Sequence, residues 1–273
     1  YSNENGWVDG NFVRFRKGRP EKIGGWEKLS ANTYIGSARA LHSWISLGGA
    51  RYLGIGATQK YYIEEGAALN DITPIRLTTS AGDVTFAASV SAGAVVTATD
   101  TSHGAVVGDF VTFTDAASLG GAITAAVLNQ EYEITEILTA NSYTFTASAA
   151  ANGSDTSNGG GATVGAYQIN VGLDTSVGGS GWGAGTWGRS TWGSSSSLIV
   201  AGAQLRLWSH DNFGEDMLIN PMNGGIYYWD RSGNSGSPFG RAVELATLVG
   251  ADSTTPTIAS KVLVSDVDRH IIV

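Results

Sequence analysis

The sequence predicts an all-β protein: propeller-like blades, incomplete in this chain, with a small β-barrel or sandwich inserted between them. Three observations predict it. Gly supplies 38 of 273 residues and Pro only 5, a balance that favours tight turns and close backbone approaches over long helices. Short runs of β-branched and aromatic residues recur between turn signals. A pattern of strand, polar turn and returning strand also comes three times, in WISLGGARYLGI, WSHDNFGEDMLIN and VSDVDRHIIV.

The first element is Asn11–Trp26, NFVRFRKGRPEKIGGW. Phe12, Phe15, Arg14 and Arg16 read as a strand with one apolar and one charged side. Lys17-Gly18-Arg19-Pro20 reads as a turn, and Ile23-Gly24-Gly25-Trp26 as a large ring laid against tight backbone. Ala38–Ser46, Arg51–Ile55, Lys60–Glu64 and Asp71–Leu77 then make a four-stranded meander the size of one propeller blade. These elements compose a first region, 1–77.

Residues 78–165 differ in texture, being rich in Ala, Thr, Ser, Val and Gly, with no Trp, Arg or Lys. Strands are expected at Ala94–Asp100, Phe110–Thr114, Glu131–Ile137 and Ser142–Ala147, the last two alternating strictly. This is the inserted domain, and its exits at Thr78–Gly82 and Ala149–Gly165 read as flexible or exposed. The third region, 166–273, begins with a Gly/Ser-rich run in which Trp182, Trp187 and Trp192 recur every five residues. Three such rings call for burial, so the run is expected to be an ordered packing loop, at a subunit boundary. A second blade follows in Gln204–Ser209, Met217–Asn220, Gly225–Asp230 and Ala242–Thr247. A third starts with Lys261–Ser265 and Arg269–Val273. Two and a half blades fall short of the usual four to eight, and a generic β-sandwich is the alternative to the propeller. With Tyr1 at one end and a strand at the other, the chain reads as part of a longer polypeptide.

Composition narrows function. Charged residues are 15%, below the roughly 25% of ordinary domains, which points to surface covered by neighbours. A net charge of −8 argues against a protein that neutralises nucleic-acid phosphates. The absence of cysteine excludes disulfides and thiolate metal sites, and no apolar run reaches the roughly 18 residues of a membrane span.

Chemistry-bearing motifs read as structural. His42, His103, His210 and His270 have no HxH or HExxH spacing. His42 reads as a sheet residue, His103-Gly104 as turn chemistry. His210-Asp211 and Asp268-Arg269-His270 read as hairpin turns capped by Asp. The carboxylates considered for glycosidase chemistry are Glu215-Asp216 and Asp266/Asp268, adjacent acids on turns. Asp230-Arg231-Ser232-Gly233-Asn234 resembles the start of a calcium loop, but Ser235 and Arg241 stand where Gly and Glu are needed. The glycines of 178–193 form neither a phosphate loop nor, at Gly178–Gly181, a nucleophile elbow. No catalytic, cofactor-binding or metal residues are assigned. One basic cluster remains: Arg14, Arg16, Lys17, Arg19, Lys22 and Lys28, either a charge-guarded edge or a docking surface for an acidic neighbouring ring.

Several phrases, in order, resemble a family of tail proteins of short-tailed bacteriophages. They are VRFRKGRPEKIGGWEKL, Arg39–His42, Tyr52–Gly56, Leu69–Pro74, Gly181–Gly188, Phe213–Asp216 and Val264–His270. The insert, from Thr101 to Val111 with Asn129, is similar to small β modules of phage tail proteins. The resemblance implies the tail nozzle, or packaged-DNA stabilisation protein, of podoviruses. It implies a non-enzymatic homo-hexameric propeller ring in the virion tail, extending the portal–adaptor channel. Implied partners are the tail adaptor, the needle or tailspike proteins, and genomic DNA passing without specific binding; no membrane insertion is implied. An acidic lumen would let DNA slide. The alternatives are a β-propeller receptor-binding or glycan-depolymerising tail protein, and a generic β adhesion or repeat module with no virion role.

Overall fold

The computed structural model describes residues 10–25, 27–28, 30–155, 159–174, 205–232, 239–265, 267–268 and 270–273. Trp26, the three-tryptophan run, Gly233–Ser235, Asp266 and Arg269 therefore lie outside the described residues.

A hairpin comes first, β1 (Val13–Arg16) against β2 (Arg19–Lys22), with Arg16 facing Arg19. Lys17 and Gly18, at φ 51° and 73°, form the kind of two-residue turn that suits the twist of paired strands. The expected apolar side is not buried: Phe12 is 72% exposed and Phe15 55%.

The first leaf is a meander of β3 (Ala38–Ile45), β4 (Arg51–Ala57), β5 (Tyr61–Glu65) and β6 (Ala68–Asp71), hydrogen-bonded in that order. Its fourth strand is Ala68–Asp71 rather than the 71–77 expected from sequence. Gly66 and Ala67, both at positive φ, turn the chain directly after β5, so Glu65 pairs with Ala68. Past Asp71 the chain departs, and β7 (Ile75–Thr78) joins the next sheet.

That sheet adds β8 (Thr85–Ala87), β9 (Val95–Thr99), β10 (Phe110–Ala116), β11 (Glu131–Thr139), β12 (Ser142–Thr146) and β13 (Gly161–Gln168), with a one-turn helix α1 (Ala125–Leu128). All pairs are antiparallel, in the order β7-β13-β10-β11-β12-β9-β8. It curls around one core in which Phe86, Phe113 and Phe145 meet at 4.9–5.9 Å between ring centroids. Phe86 exchanges two backbone bonds with Gly159, just ahead of β13, so one edge nearly meets the other, although the sheet is not closed into a barrel. The end of the exit Ala149–Gly165, expected to be flexible or exposed, supplies the first five residues of β13, an interior strand. Its small residues suit that place, because a Cβ on Gly165 would sit 3.2 Å from Val84 and 3.3 Å from Tyr167.

The motif residues of the insert act as staples. Asp109 accepts bonds from the backbone of Val106 and Val171 and from Asn170 (2.9, 2.7 and 2.7 Å). Asn129 both donates to and accepts from the backbone of Ala116.

The second leaf is β14 (Trp208–Phe213), β15 (Asp216–Pro221), β16 (Tyr227–Trp229) and β17 (Val243–Glu244), again in sequential order. A third begins with β18 (Leu263–Val264) paired to β19 (Ile271–Ile272). In the first two leaves the turns correspond, and the tryptophans do not. Trp44 sits beside the turn end of β3, whereas Trp208 opens β14, so His42 and His210 hold equivalent strand positions.

The leaves stack face to face. From leaf one, Trp44, Tyr52, Tyr61 and Ile63 meet Trp208, Met217, Ile219 and Trp229 of leaf two. The opposite face of leaf two, with Leu218, packs on Val262, Val264 and Ala259. Strand alternation supplies both faces. Gly56 makes the close approach workable, since a Cβ there would lie 2.5 Å from Trp208 Cδ1. The result is all-β and propeller-like, with β14 packed between β3 and β18.

An ionic cluster joins the insert to both leaves. Lys60, 2% exposed, places Nζ 2.8 Å from Asp71 Oδ2, beside Glu131 Oε1 and 4.2 Å from the Phe110 ring centroid. Arg241 binds the same two acids at 2.7 and 3.0 Å, and Gln168 donates to Glu131. Burial works to raise the Asp71 pKa, but Arg241 and Lys60 outweigh it and hold the carboxyl below its usual range.

Candidate functional site

Two surfaces follow from this architecture: the successive first strands of the leaves, and the end where their first hairpins turn. Along β3 the side chains alternate, so Ala40, His42 and Trp44 face leaf two while Arg39, Leu41, Ser43 and Ile45 are exposed. None of these exposed residues is acidic, and Arg39 is engaged by Asp174 at 3.2 Å. The carboxylates gather at the hairpin end instead, in Glu64, Glu65, Glu215, Asp216 and Asp230.

The fold pairs two histidines that are 168 positions apart. The rings of His42 and His210 lie 5.3 Å apart at the seam between leaves, with His210 Nδ1 2.7 Å from the Tyr61 hydroxyl and His42 Nε2 3.2 Å from Asn212 Oδ1. Burial lowers the His210 pKa to about 4, His42 adding to the effect and Asp211 opposing it. His210-Asp211 belongs to β14 and not to a turn, a correction that follows from the longer strand. Asp211 Oδ2 accepts the backbone N–H of Val264, and Ser209 bonds Val262, so β14 holds the third leaf through side chains. His103 is buried in the insert against Tyr143 and Tyr167, with Nδ1 accepting from Ala105. His270 is exposed ahead of β19, its backbone oxygen accepting from Ser265.

Of the carboxylates considered for hydrolysis, Glu215 and Asp216 are committed locally, as is Asp230 of the calcium-like loop; Asp268 is exposed on a turn and Asp266 lies outside the described residues. Glu215 Oε1 accepts from the Leu47 backbone at 2.6 Å. Asp216 takes the Tyr228 hydroxyl and, at 2.9 Å, the Arg231 backbone. Asp230 caps Ser232 through both its N–H and Oγ (2.8 and 2.6 Å), as an Asx turn does. Arg241, at the would-be twelfth position of a calcium loop, is half-buried in the ionic cluster. Among the described residues no group of three or more acids or histidines is arranged to hold a metal ion, and no helix is long and apolar enough to cross a membrane.

Glu215, Asp216, Asp230 and Ser232 share a cleft of about 410 Å³ with Ile45, Leu47, Phe213 and Gly214. Sequence reading singled out the acids one by one. It missed their gathering, because the apolar wall comes from a turn some 170 positions away. The basic residues of β1 and β2 stay exposed, with Arg14 paired to Glu21 at 3.2 Å. Leu173 and Leu205 form a parallel bridge.

No protein-family model matches the chain, and no curated protein matches it. Among solved structures the chain is similar to one titled "Phage phi92 endosialidase", at 16% identity and a TM-score of 0.25, over 91% of this chain and 35% of that one. The chain thus spans about a third of that protein's length. A likeness this loose carries no assignment.

Proposed function

We propose that the chain is a non-enzymatic structural protein of a short phage tail, the nozzle or head-closure ring that continues the portal–adaptor channel. The observation that carries the reading is the stacking of leaves with β3, β14 and β18 in succession. Each leaf covers its neighbour's face, so the leaves form an arc that exposes Leu41 and Ile45 at one end and Leu263 and Ile272 at the other. Repeated arcs meeting through heterologous contacts close into a ring. The ordered tail-family phrases support the same reading: Arg39–His42 and Tyr52–Gly56 are the strands that build the first seam.

In this reading identical subunits wall a passage that retains packaged genome and conducts it at ejection. DNA meets a chain of net charge −8, with the one arginine exposed on β3 already engaged by Asp174. The adaptor and the needle or tailspike proteins would occupy the two ends. Electron microscopy of the intact particle tests this: a six-fold density containing this chain below a capsid vertex is expected. A monomeric protein that hydrolyses or binds glycans would overturn it.

A further inference from the structure

Each copy of the chain carries a basic projection and an acidic recess. The hairpin Val13–Lys22 holds Arg14, Arg16, Lys17, Arg19 and Lys22 against a lone acid, Glu21, and all five cations are exposed. Its two-residue turn fixes the tip, and Phe12 stands 72% exposed at its base. Exposed aromatic surface beside arginines has the composition of a contact region rather than of a solubilising edge. The Arg14–Glu21 pair is itself exposed, so it holds the arginine only weakly.

The recess is the cleft between the turn of β3–β4 and the turn of β14–β15. Its apolar wall is Ile45, Leu47 and Phe213, and three carboxylates line the remainder; no cation is among the described lining residues, and the nearby Arg231, within electrostatic reach of Glu215, is held on the Tyr52 hydroxyl. Bonds from Leu47, Tyr228, Arg231 and Ser232 fix the three acids in place. A guanidinium entering the cleft would therefore meet preorganised acceptors at little ordering cost. The apolar wall suits arginine methylenes or a phenyl ring.

We propose that the hairpin Val13–Lys22 of one copy docks in the acidic cleft of the next, its arginines against Glu215 and Asp230 and Phe12 against the Leu47 side. Charge complementarity selects this occupant, and the two surfaces differ, so the contact is head-to-tail and repeats around a ring. The inference rests on the ring reading and supplies its joint.

The test uses the absence of cysteine from the chain. Full-length Lys17→Cys and Ser232→Cys proteins are mixed and oxidised. Covalent heterodimers are expected, diminishing in high salt as exposed charges are screened. The double variant is expected to give a ladder of oligomers. A solely intramolecular bond, or no cross-link at concentrations where the unmodified chain associates, overturns the proposal. Independently, reversing Arg14, Arg16 and Arg19 to Glu should weaken association about tenfold or more. A partner with Glu215→Arg and Asp230→Arg should restore it; failure of that rescue counts against the joint. If the reversed hairpin instead loses binding to a short labelled DNA duplex while association is unchanged, the hairpin is a nucleic-acid contact and the proposal falls. Association that ignores every change sinks the joint and leaves the ring; a chain monomeric at all concentrations sinks both.

Discussion

The leaves and the insert bury apolar side chains by opposite strategies. In the insert one sheet curls round, so Phe86, Phe113, Phe145 and Tyr132 pack on residues of the same sheet. In the leaves each sheet is open and covers itself only with its neighbour: Trp229 rests on Trp44 and Tyr52 of another leaf, at 6.3 and 6.2 Å between ring centroids. A self-enclosed core completes its burial within one region, whereas stacked leaves behave as a repeat array and depend on nearest neighbours. The difference teaches which part can be exchanged between proteins and which part must assemble.

The sharpest way to break this comparison is to empty each core in turn. Trp229→Ala should cost about 4 kcal/mol, felt across the leaves, and Phe113→Ala a similar amount confined to the insert. Hydrogen exchange checks it: the first change should strip protection from β4, β5, β14 and β15 while β10–β12 stay protected, and the second should do the reverse. Uniform loss in both variants would show one cooperative core instead of two.

Next in size is the cluster that couples the regions. Lys60→Ala leaves Asp71 and Glu131 half-buried with Arg241 as their remaining cation. A loss of about 3 kcal/mol is expected, less than for a fully buried pair because both acids retain some solvent. Calorimetry should resolve the melting into two steps, insert and leaves. An unsplit transition would mean that β7 and β13 suffice as the link.

Much of this was legible in the sequence, and the failures have physical causes. The leaf hairpins followed from turn residues and alternation, which are local properties of the chain. The first five residues of the strand Gly161–Gln168 fall in the exit Ala149–Gly165, which reads as flexible or exposed because its glycines and alanines carry no strand signal. Their smallness is required by Val84 and Tyr167, which approach from other segments. The Lys60 cluster draws its members from residues 60, 71, 131, 168 and 241, and the His42–His210 pair spans two leaves. Such meetings depend on topology and leave no trace in spacing.

A finer test asks how closely the leaves must approach. Gly56→Ala would set a methyl group against the indole of Trp208, which cannot slide away because its Nε1 donates to the Ala57 oxygen at 2.7 Å. A loss of about 2 kcal/mol is expected. Gly54→Ala meets the flexible end of Met217 and the Tyr61 hydroxyl, so it should cost less. Denaturant melts of the two variants give the order; equal losses would mean that the seam repacks freely.

The smallest expected effect is acid sensitivity at the same seam. His210 has its pKa lowered to about 4 in the folded chain by burial, with His42 opposite and Tyr61 bonded to its ring. The unfolded chain, with an ordinary histidine near 6.5, binds the proton more readily. The contribution of neutral His210 is therefore complete above about pH 6.5 and drains away as pH falls towards about 4. Solvent screening of a half-buried ring limits it to the order of 1 kcal/mol. Asp71, with its lowered pKa, loses its contribution only at more acid pH, so the two groups separate along the titration. His210→Gln should flatten the stability profile between about pH 6.5 and 4 and leave the more acid limb intact. A profile unchanged in both limbs would free the seam from any titrating role and leave Asp71 to carry the acid response.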